Sequence, residues 1–240
     1  MKDAEVKAVF TNLDDIKSYS PTINIIDIRT VKVKFDENSI LENNSFPTDP
    51  AYIIYTSGTT GMPKGVVIRH SSLYDYILMF NDEFKVEAKD CIIQQTSISF
   101  DTSLEELFCT VVKGGSMFIV NHRKELNKII EAIETGYPTI LSTSPLVLNY
   151  INSTCTNFSS LSKILSGGDV LKAEYFNSIP KHIEIWNGYG PTESTVYVTF
   201  SKVDVSEENP IITIGKALPN RHILILDEGL NLMPHGISGE

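Results

Sequence analysis

Within eleven residues, Tyr55-Thr56-Ser57-Gly58-Thr59-Thr60-Gly61-Met62-Pro63-Lys64-Gly65, the chain gathers three glycines, four Ser/Thr hydroxyls and one lysine. Glycines let a backbone fold tightly and bring its N–H groups close to an anion. The hydroxyls add donors, and the Lys64 ammonium adds a point charge. Such a set is suited to cradling polyphosphate. It is not a P-loop of the Gly-x-x-x-x-Gly-Lys-Ser/Thr type, which opens directly into a helix. Here Lys64 follows a proline and a second strand pattern follows Lys64. By composition alone the segment reads as a flexible hairpin; its order favours phosphate.

Further along, Asp101 stands where an apolar stretch ending in Phe100 enters a helical pattern. Its carboxylate either faces a partly enclosed pocket or caps the helix. Glu105 follows four residues later and shares a helix face with it. Two carboxylates on one face repel unless a cation sits beside them; otherwise Glu105 is a solvated helix residue. In Asn187-Gly188-Tyr189-Gly190-Pro191-Thr192-Glu193-Ser194-Thr195 the glycines let a loop pass close to a ligand, and Pro191 stiffens it. Leu165-Ser166-Gly167-Gly168-Asp169 says less alone, because Ser-Gly-Gly is a frequent turn. There is no Gly-x-Ser-x-Gly elbow and no cluster with metal-ligand spacing, so hydrolase readings fall away.

The elements that must position these residues alternate. Ala8 to Ile28 reads as strand, helix (Leu13–Ser18) and strand (Ile23–Ile26), and the polar stretch Asp36–Pro50 as a surface connection. Ala51–Ile54 reads as a buried strand and Val66–Ile68 as another. A helix is predicted over Ser71–Phe84, capped by Ser71 or Ser72, with Leu73, Tyr76, Ile77 and Phe80 on one face. Cys91–Gln94 is a strand. Asp101–Val112 is a helix whose buried stripe is Phe100, Leu104, Leu107, Phe108, Val111 and Val112; Gly114-Gly115 ends it before a strand at Ser116–Val120. Helices at Lys124–Ile133 and Pro145–Ile151 bracket a strand at Thr139–Leu141, and Ile164-Leu165 and Ile183–Trp186 are further strands. This alternation predicts an α/β fold with a mostly parallel sheet flanked by helices. After Val196 the pattern turns strand-rich, Ile223–Leu226 most clearly. The expected organisation is an α/β nucleotide- and substrate-binding core over 1–200 and the start of a strand-rich subdomain over 201–240.

The Tyr55–Gly65 string resembles the signature loop of the adenylate-forming superfamily, which includes acyl-CoA synthetases, luciferases and the adenylation domains of nonribosomal peptide synthetases. Ser99-Phe100-Asp101-Thr102-Ser103, Leu165–Asp169 and Asn187–Thr195 follow in that family's order and at roughly its spacing, and the likeness runs from Ala51 to the end. It is closest to the amino-acid-activating branch. The resemblance implies ATP and Mg2+ as cofactors, aminoacyl-AMP and pyrophosphate as products, and a phosphopantetheine-bearing carrier domain as partner. Nucleotide contacts are implied for Thr56, Ser57, Gly58, Thr59, Thr60, Gly61, Lys64, Gly168, Asn187, Gly188, Tyr189, Gly190 and Thr192. Tyr189 is to stack on adenine, Thr192 to touch the α-phosphate and Glu193 to hold Mg2+, so that Thr192, Glu193 and Lys64 carry the chemistry. The implied amino-acid pocket is Asp101, Thr102, Glu105, Ser142, Leu165, Gly167, Gly188, Val196 and Tyr197, with Asp101 pairing the α-ammonium. Its other charge, Glu105, is negative, which implies a basic substrate such as lysine or ornithine. A carboxylate–CoA ligase, a D-alanine-carrier ligase and a binding-only core stay open as alternatives. Family members begin further upstream and continue past Gly236-Ile237-Ser238-Gly239-Glu240 into a small lid domain carrying a catalytic lysine, so an excised core is expected.

The 240 residues carry 42% hydrophobic side chains, enough for a large core, and a formal charge of −10 that argues against a nucleic-acid-binding face. Three widely spaced cysteines suit a reducing compartment and suggest neither a disulfide framework nor a zinc site. No run is apolar for long enough to span a bilayer, and the N-terminus lacks an apolar h-region, so a cytosolic, membrane-free location is expected.

Overall fold

A computed structural model describes residues 3–12, 23–32, 44–57, 61–120, 126–207 and 209–240. The chain forms two compact units, Met1–Asp49 and Pro50–Glu240. In the first unit β1 (Ala8–Thr11) and β2 (Asn24–Asp27) pair in parallel, Ala8 opposite Asn24. The helix predicted at Leu13–Ser18 and most of the 36–50 connection lie outside the described residues.

The second unit opens with an antiparallel hairpin of β3 (Pro50–Thr56) and β4 (Lys64–Arg69), closed by Thr56 opposite Lys64. The predicted buried strand is therefore one arm of a separate two-stranded ribbon, with Ile53 and Val67 exposed. A ribbon can cover only one of its faces against a neighbour, so alternate side chains stay in solvent. Helix α1 (His70–Phe84) follows at once. Arg69 occupies its cap position in extended conformation with no side-chain hydrogen bond, so neither Ser71 nor Ser72 caps it. Its buried stripe is Leu73, Tyr76, Ile77, Phe80 and Phe84, spaced by three and four.

The remaining elements are β5 (Cys91–Gln94), α2 (Thr102–Val111), β6 (Ser116–Ile119), α3 (Asn127–Glu134), β7 (Ile140–Thr143), α4 (Pro145–Thr154), β8 (Lys163–Gly167), β9 (Glu184–Tyr189), β10 (Thr199–Lys202) and β11 (Lys216–Ala217). They build one sheet in the order β11-β10-β9-β8-β7-β5-β6, parallel from β9 to β6 and antiparallel at β10 and β11. Successive residues of each parallel strand feed opposite cores, as the pleat requires. Ile93, Leu141, Ile164 and Ile185 join Ile129, Ile133, Leu148 and Ile151 of α3 and α4. Ile92, Ile140, Leu165 and Trp186 join Tyr76, Phe80, Phe84 and Cys109 of α1 and α2. Burial on both faces is why these strands read as continuous apolar runs.

Two expectations fail here. In α2, Leu107, Val111 and Val112, with Phe100 ahead of it, are exposed, and Leu104 and Phe108 are only partly buried; the buried residues are Ser103, Glu105, Glu106, Cys109 and Thr110. The helix turns inward the face whose carboxyl groups find hydrogen-bond donors, which apolar spacing alone does not reveal. Ile223–Leu226 is not a strand: Ile223, Leu224 and Ile225 are exposed, and its backbone pairing is limited to an isolated bridge Leu226–Leu232 around a turn at Asp227–Asn231, a bond from the Met233 N–H to the Ile225 carbonyl and a reciprocal pair of bonds between Leu226 and Glu240. With β11 two residues long, 201–240 is not strand-rich among the described residues. β-propensity without a partner strand does not make a strand.

Candidate functional site

One strand in from the sheet's edge, β5 is followed by the edge strand β6 on one side, and the chain then crosses to β7 on the other. Such a reversal leaves a crevice beyond the carboxyl ends of parallel strands. A cleft of about 570 Å³ lies there. Its walls are Gln95, Thr96 and Ser97 after β5, Ser142, Thr143 and Ser144 around the end of β7, Gly167 and Gly168 at β8, and Gly190, Pro191 and Thr192 after β9; Phe100, Asp101, Thr102, Leu126, Val147, Val196 and Tyr197 complete it.

Asp101 sits at the start of α2 without capping it, 9% exposed. Burial raises its carboxyl above the ordinary range, while the Val196 and Thr102 N–H groups and the Thr192 hydroxyl hold it back by hydrogen bonding. The Val196 N–H is aimed there by an unusual turn: Thr195 and Val196, both β-branched, have φ of 65° and 51°. Branched residues in the left-handed region cost about 1–3 kcal/mol each and persist only where surroundings enforce them. Gly190 is part of that enforcement, since a Cβ there would stand 2.5 Å from the Val196 carbonyl oxygen. Gly167 makes room for the buried Tyr197, whose ring a Cβ would meet at 2.5 Å.

Behind the cleft lies Glu105, fully buried. The Tyr76 hydroxyl donates to its Oε2. Burial pushes this carboxyl up to about 8, partly offset by the Ser142 and Tyr76 hydroxyls and reinforced by the charges of Glu106 and Asp101. Thus Glu105 does not line the wall; it lies under Ser142 and Tyr197 and is protonated at neutral pH when no cation is near. Removing a carboxylate from water favours its neutral form, so burial works against a standing negative charge at Glu105.

The structure brings Asp101, Thr102, Ser142, Gly167, Gly168, Gly190, Thr192, Val196 and Tyr197 together in the cleft. Leu165 and Gly188 stand one layer back, against Tyr197. Asn187 is also withdrawn: it is buried in β9, and its Nδ2 donates to the Thr213 carbonyl at 2.9 Å. Tyr189 is half-exposed beside Gly190. Glu193 is on the other side of its turn, where it shares a second cavity of about 470 Å³ with Val67, Ile68 and Arg69 of β4, Ser72, Thr195, Arg221 and His222. The hairpin and the Tyr189–Glu193 turn are therefore neighbours. Thr56 and Lys64 close that hairpin, with Ser57 exposed and Gly61 at φ 82°; Gly58, Thr59 and Thr60 lie outside the described residues. Among the described residues no group of three His, Cys, Asp or Glu could hold a metal, and Glu193 stands exposed without a hydrogen-bond or ion-pair partner. One uncommitted carboxylate fits Mg2+, which takes one or two such ligands alongside phosphate oxygens and water. No helix among the described residues is long and apolar enough to cross a membrane.

Sequence reasoning missed Gln95, Thr96, Thr143 and Ser144 in the walls, and Tyr52, whose buried hydroxyl lies beside Asp101 and Thr195 and is raised by burial and then by the charge of Asp101. A signal existed for the first four. Each pair is a polar step placed directly after an apolar strand, where parallel strands present their ends to a ligand.

Comparison with known proteins agrees with this geometry. Residues 1–240 match the family described as AMP-binding enzyme. Bacitracin synthase 2 of Bacillus licheniformis is 36% identical over 204 residues, 83% of this chain and 8% of that protein. Tyrocidine synthase 1 of Brevibacillus parabrevis is 30% identical over all of this chain and 22% of its own length. The chain thus spans less than a quarter of the length of these curated relatives. A crystal structure of a four-domain nonribosomal peptide synthetase bound to AMP and glycine superposes with a TM-score of 0.81 at 26% identity, over 98% of this chain and 18% of that one. With the signature segments gathered at one sheet end and the family match running the full length, the chain belongs to the AMP-binding enzymes and is similar to the adenylating ligase domains of nonribosomal peptide synthetases.

Proposed function

We propose that this chain activates a basic amino acid with ATP, giving aminoacyl-AMP and pyrophosphate, for delivery to a phosphopantetheine thiol on a carrier domain. The observation that carries the reading is that Asp101 and Thr192 line the same cleft. It sets an amine anchor in the same cleft as a hydroxyl suited to the α-phosphate. The substrate ammonium would neutralise Asp101 and offset the cost of its burial. The substrate carboxylate oxygen then attacks the α-phosphorus; a new P–O bond forms, the bond to the bridging oxygen breaks, and its electron pair leaves with pyrophosphate. No protein nucleophile is required. The residues bind and orient: Thr192 at the α-phosphate, Gly168 and Tyr189 along the adenine, and Thr56, Ser57, Gly58, Thr59, Thr60, Gly61 and Lys64 on the departing phosphates. Glu193 would hold Mg2+, which supplies charge neutralisation on the phosphate oxygens.

The side-chain preference rests on Glu105. A long cationic side chain directed past Ser142 and Tyr197 would reach a carboxyl poised to ionise, while a neutral chain leaves it protonated. The test is ATP–pyrophosphate exchange across the amino acids and a set of aryl and fatty acids. Lysine or ornithine should dominate. A neutral amino acid outrunning both removes the basic-substrate reading, and exchange only with aryl or fatty acids removes amino-acid activation.

A further inference from the structure

We infer that Glu106 is a positioning residue: its buried carboxylate gathers the Gln94–Thr96 segment into the wall of the cleft and so sets affinity for the amino acid. The inference deepens the reading above and rests on it for the identity of the ligand, though not for the clamp itself. Glu106 is fully buried on α2, one residue past Glu105, and does not line the cleft. Its Oε2 accepts from the Thr96 N–H at 3.0 Å, the Gln95 N–H at 3.3 Å and the Gln94 side-chain amide at 3.4 Å. Its Oε1 accepts from the Thr96 hydroxyl at 2.7 Å. These donors sit where β5 has just ended, so the Gln95 and Thr96 N–H groups have no strand partner to take them. A backbone leaving a sheet must still satisfy its buried N–H groups, and here one side chain does so.

The clamp reaches across the cleft. Gln95, itself buried, donates its side-chain amide to the Ser142 carbonyl at 2.6 Å. The end of β5 and the end of β7 are thereby linked through one residue whose backbone Glu106 holds. Gln95, Thr96 and Ser142 all line the cleft, so a loosened segment changes the pocket wall without touching the nucleotide segments. Sequence spacing paired Glu105 with Asp101 and gave no role to its neighbour. With about 3.6 residues per turn, adjacent helix positions project about 100° apart, and Glu106 meets the strand end while Glu105 meets Tyr76.

Glu106→Gln tests this, because the amide keeps the shape but offers one acceptor oxygen where two served. In this chain without ligand, hydrogen exchange at the Gln95 and Thr96 amides should speed by roughly tenfold or more, with the β8 amides unchanged. In ATP–pyrophosphate exchange with L-lysine, KM for lysine should rise by roughly tenfold or more while KM for ATP and kcat stay within about twofold. A merely structural role would lower the folded fraction and leave both KM values alone. Thr96→Val, which removes only the hydroxyl bond, should shift lysine KM the same way by a smaller factor and serves if the Gln variant folds poorly. Unchanged protection of Gln95 and Thr96 in a folded Glu106→Gln protein overturns the clamp. Equal increases in both KM values overturn its restriction to the amino-acid wall. Failure of the wild type to exchange with lysine removes the basic-substrate reading alone, since the amide measurement still decides the clamp.

Discussion

Replacing Glu105 by Gln should change how stability depends on pH, and the size follows from burial. The carboxyl lies at about 8 in the folded chain against an ordinary 4.5. A folded-state value raised for a carboxylic acid means that the native state holds the proton more tightly than the unfolded one. The stabilisation is therefore complete below about pH 4.5 and is lost as pH rises through about 8. At about 1.36 kcal/mol per pH unit of displacement, the whole loss is on the order of 3–5 kcal/mol, the lower end allowing for repulsion shared with Glu106 and Asp101. Glu106, raised to about 7, contributes in the same direction below that pH. From pH 7 to 8 most of the change belongs to Glu105: the wild type should lose about 1 kcal/mol more than Glu105→Gln, which keeps only the smaller remaining loss from Glu106. Gln is isosteric and can still accept from the Tyr76 hydroxyl, so at pH 5 the two proteins should differ by no more than about 1 kcal/mol. Urea unfolding at pH 5, 7 and 8 measures this. Parallel loss of stability in both proteins from pH 7 to 8 would refute the reasoning, because the proton would then reside elsewhere. Binding extends the same test. A lysine ammonium that ionises Glu105 must expel its proton, so calorimetry of lysine binding at pH 7 in buffers of different ionisation enthalpy should show proton release in the wild type and none in Glu105→Gln.

Other substitutions probe the remaining parts. Asp101→Ala should weaken amino-acid binding by about 2–5 kcal/mol and leave ATP binding within a few-fold, by calorimetry with each ligand, since it removes one member of a largely buried charge pair. Gly167→Ala drives a methyl group to 2.5 Å from the Tyr197 ring and should cost about 1–3 kcal/mol in thermal unfolding, with a raised amino-acid KM. Lys64→Ala, at an exposed hairpin position, should leave the melting temperature unchanged within error while slowing pyrophosphate exchange by roughly a hundredfold.

Much of the fold was legible because burial on both faces writes itself as apolar runs. Ile92-Ile93, Ile140-Leu141, Ile164-Leu165 and Ile185-Trp186 announce a covered parallel sheet before any coordinate is known, and the strand–helix alternation gives its class. The hairpin was legible from the hydroxyl- and glycine-rich run between two apolar ones. The α2 stripe and Ile223–Leu226 were misread for a common reason: periodicity reports which residues could be buried, not which partner is present to bury them. What the amino-acid order determined by itself was local, namely where strands and helices begin, which loops carry donors, and which family the segments resemble. What only the tertiary structure decided was the meeting of distant groups. Asp101 and Thr192, ninety-one positions apart by their numbers, line one cleft; Tyr76 closes on Glu105; Glu106 takes over the backbone where β5 ends. Ionisation belongs to this second kind, because a carboxyl's proton affinity is set by the water and dipoles around it, and these are fixed only once the chain has enclosed the group.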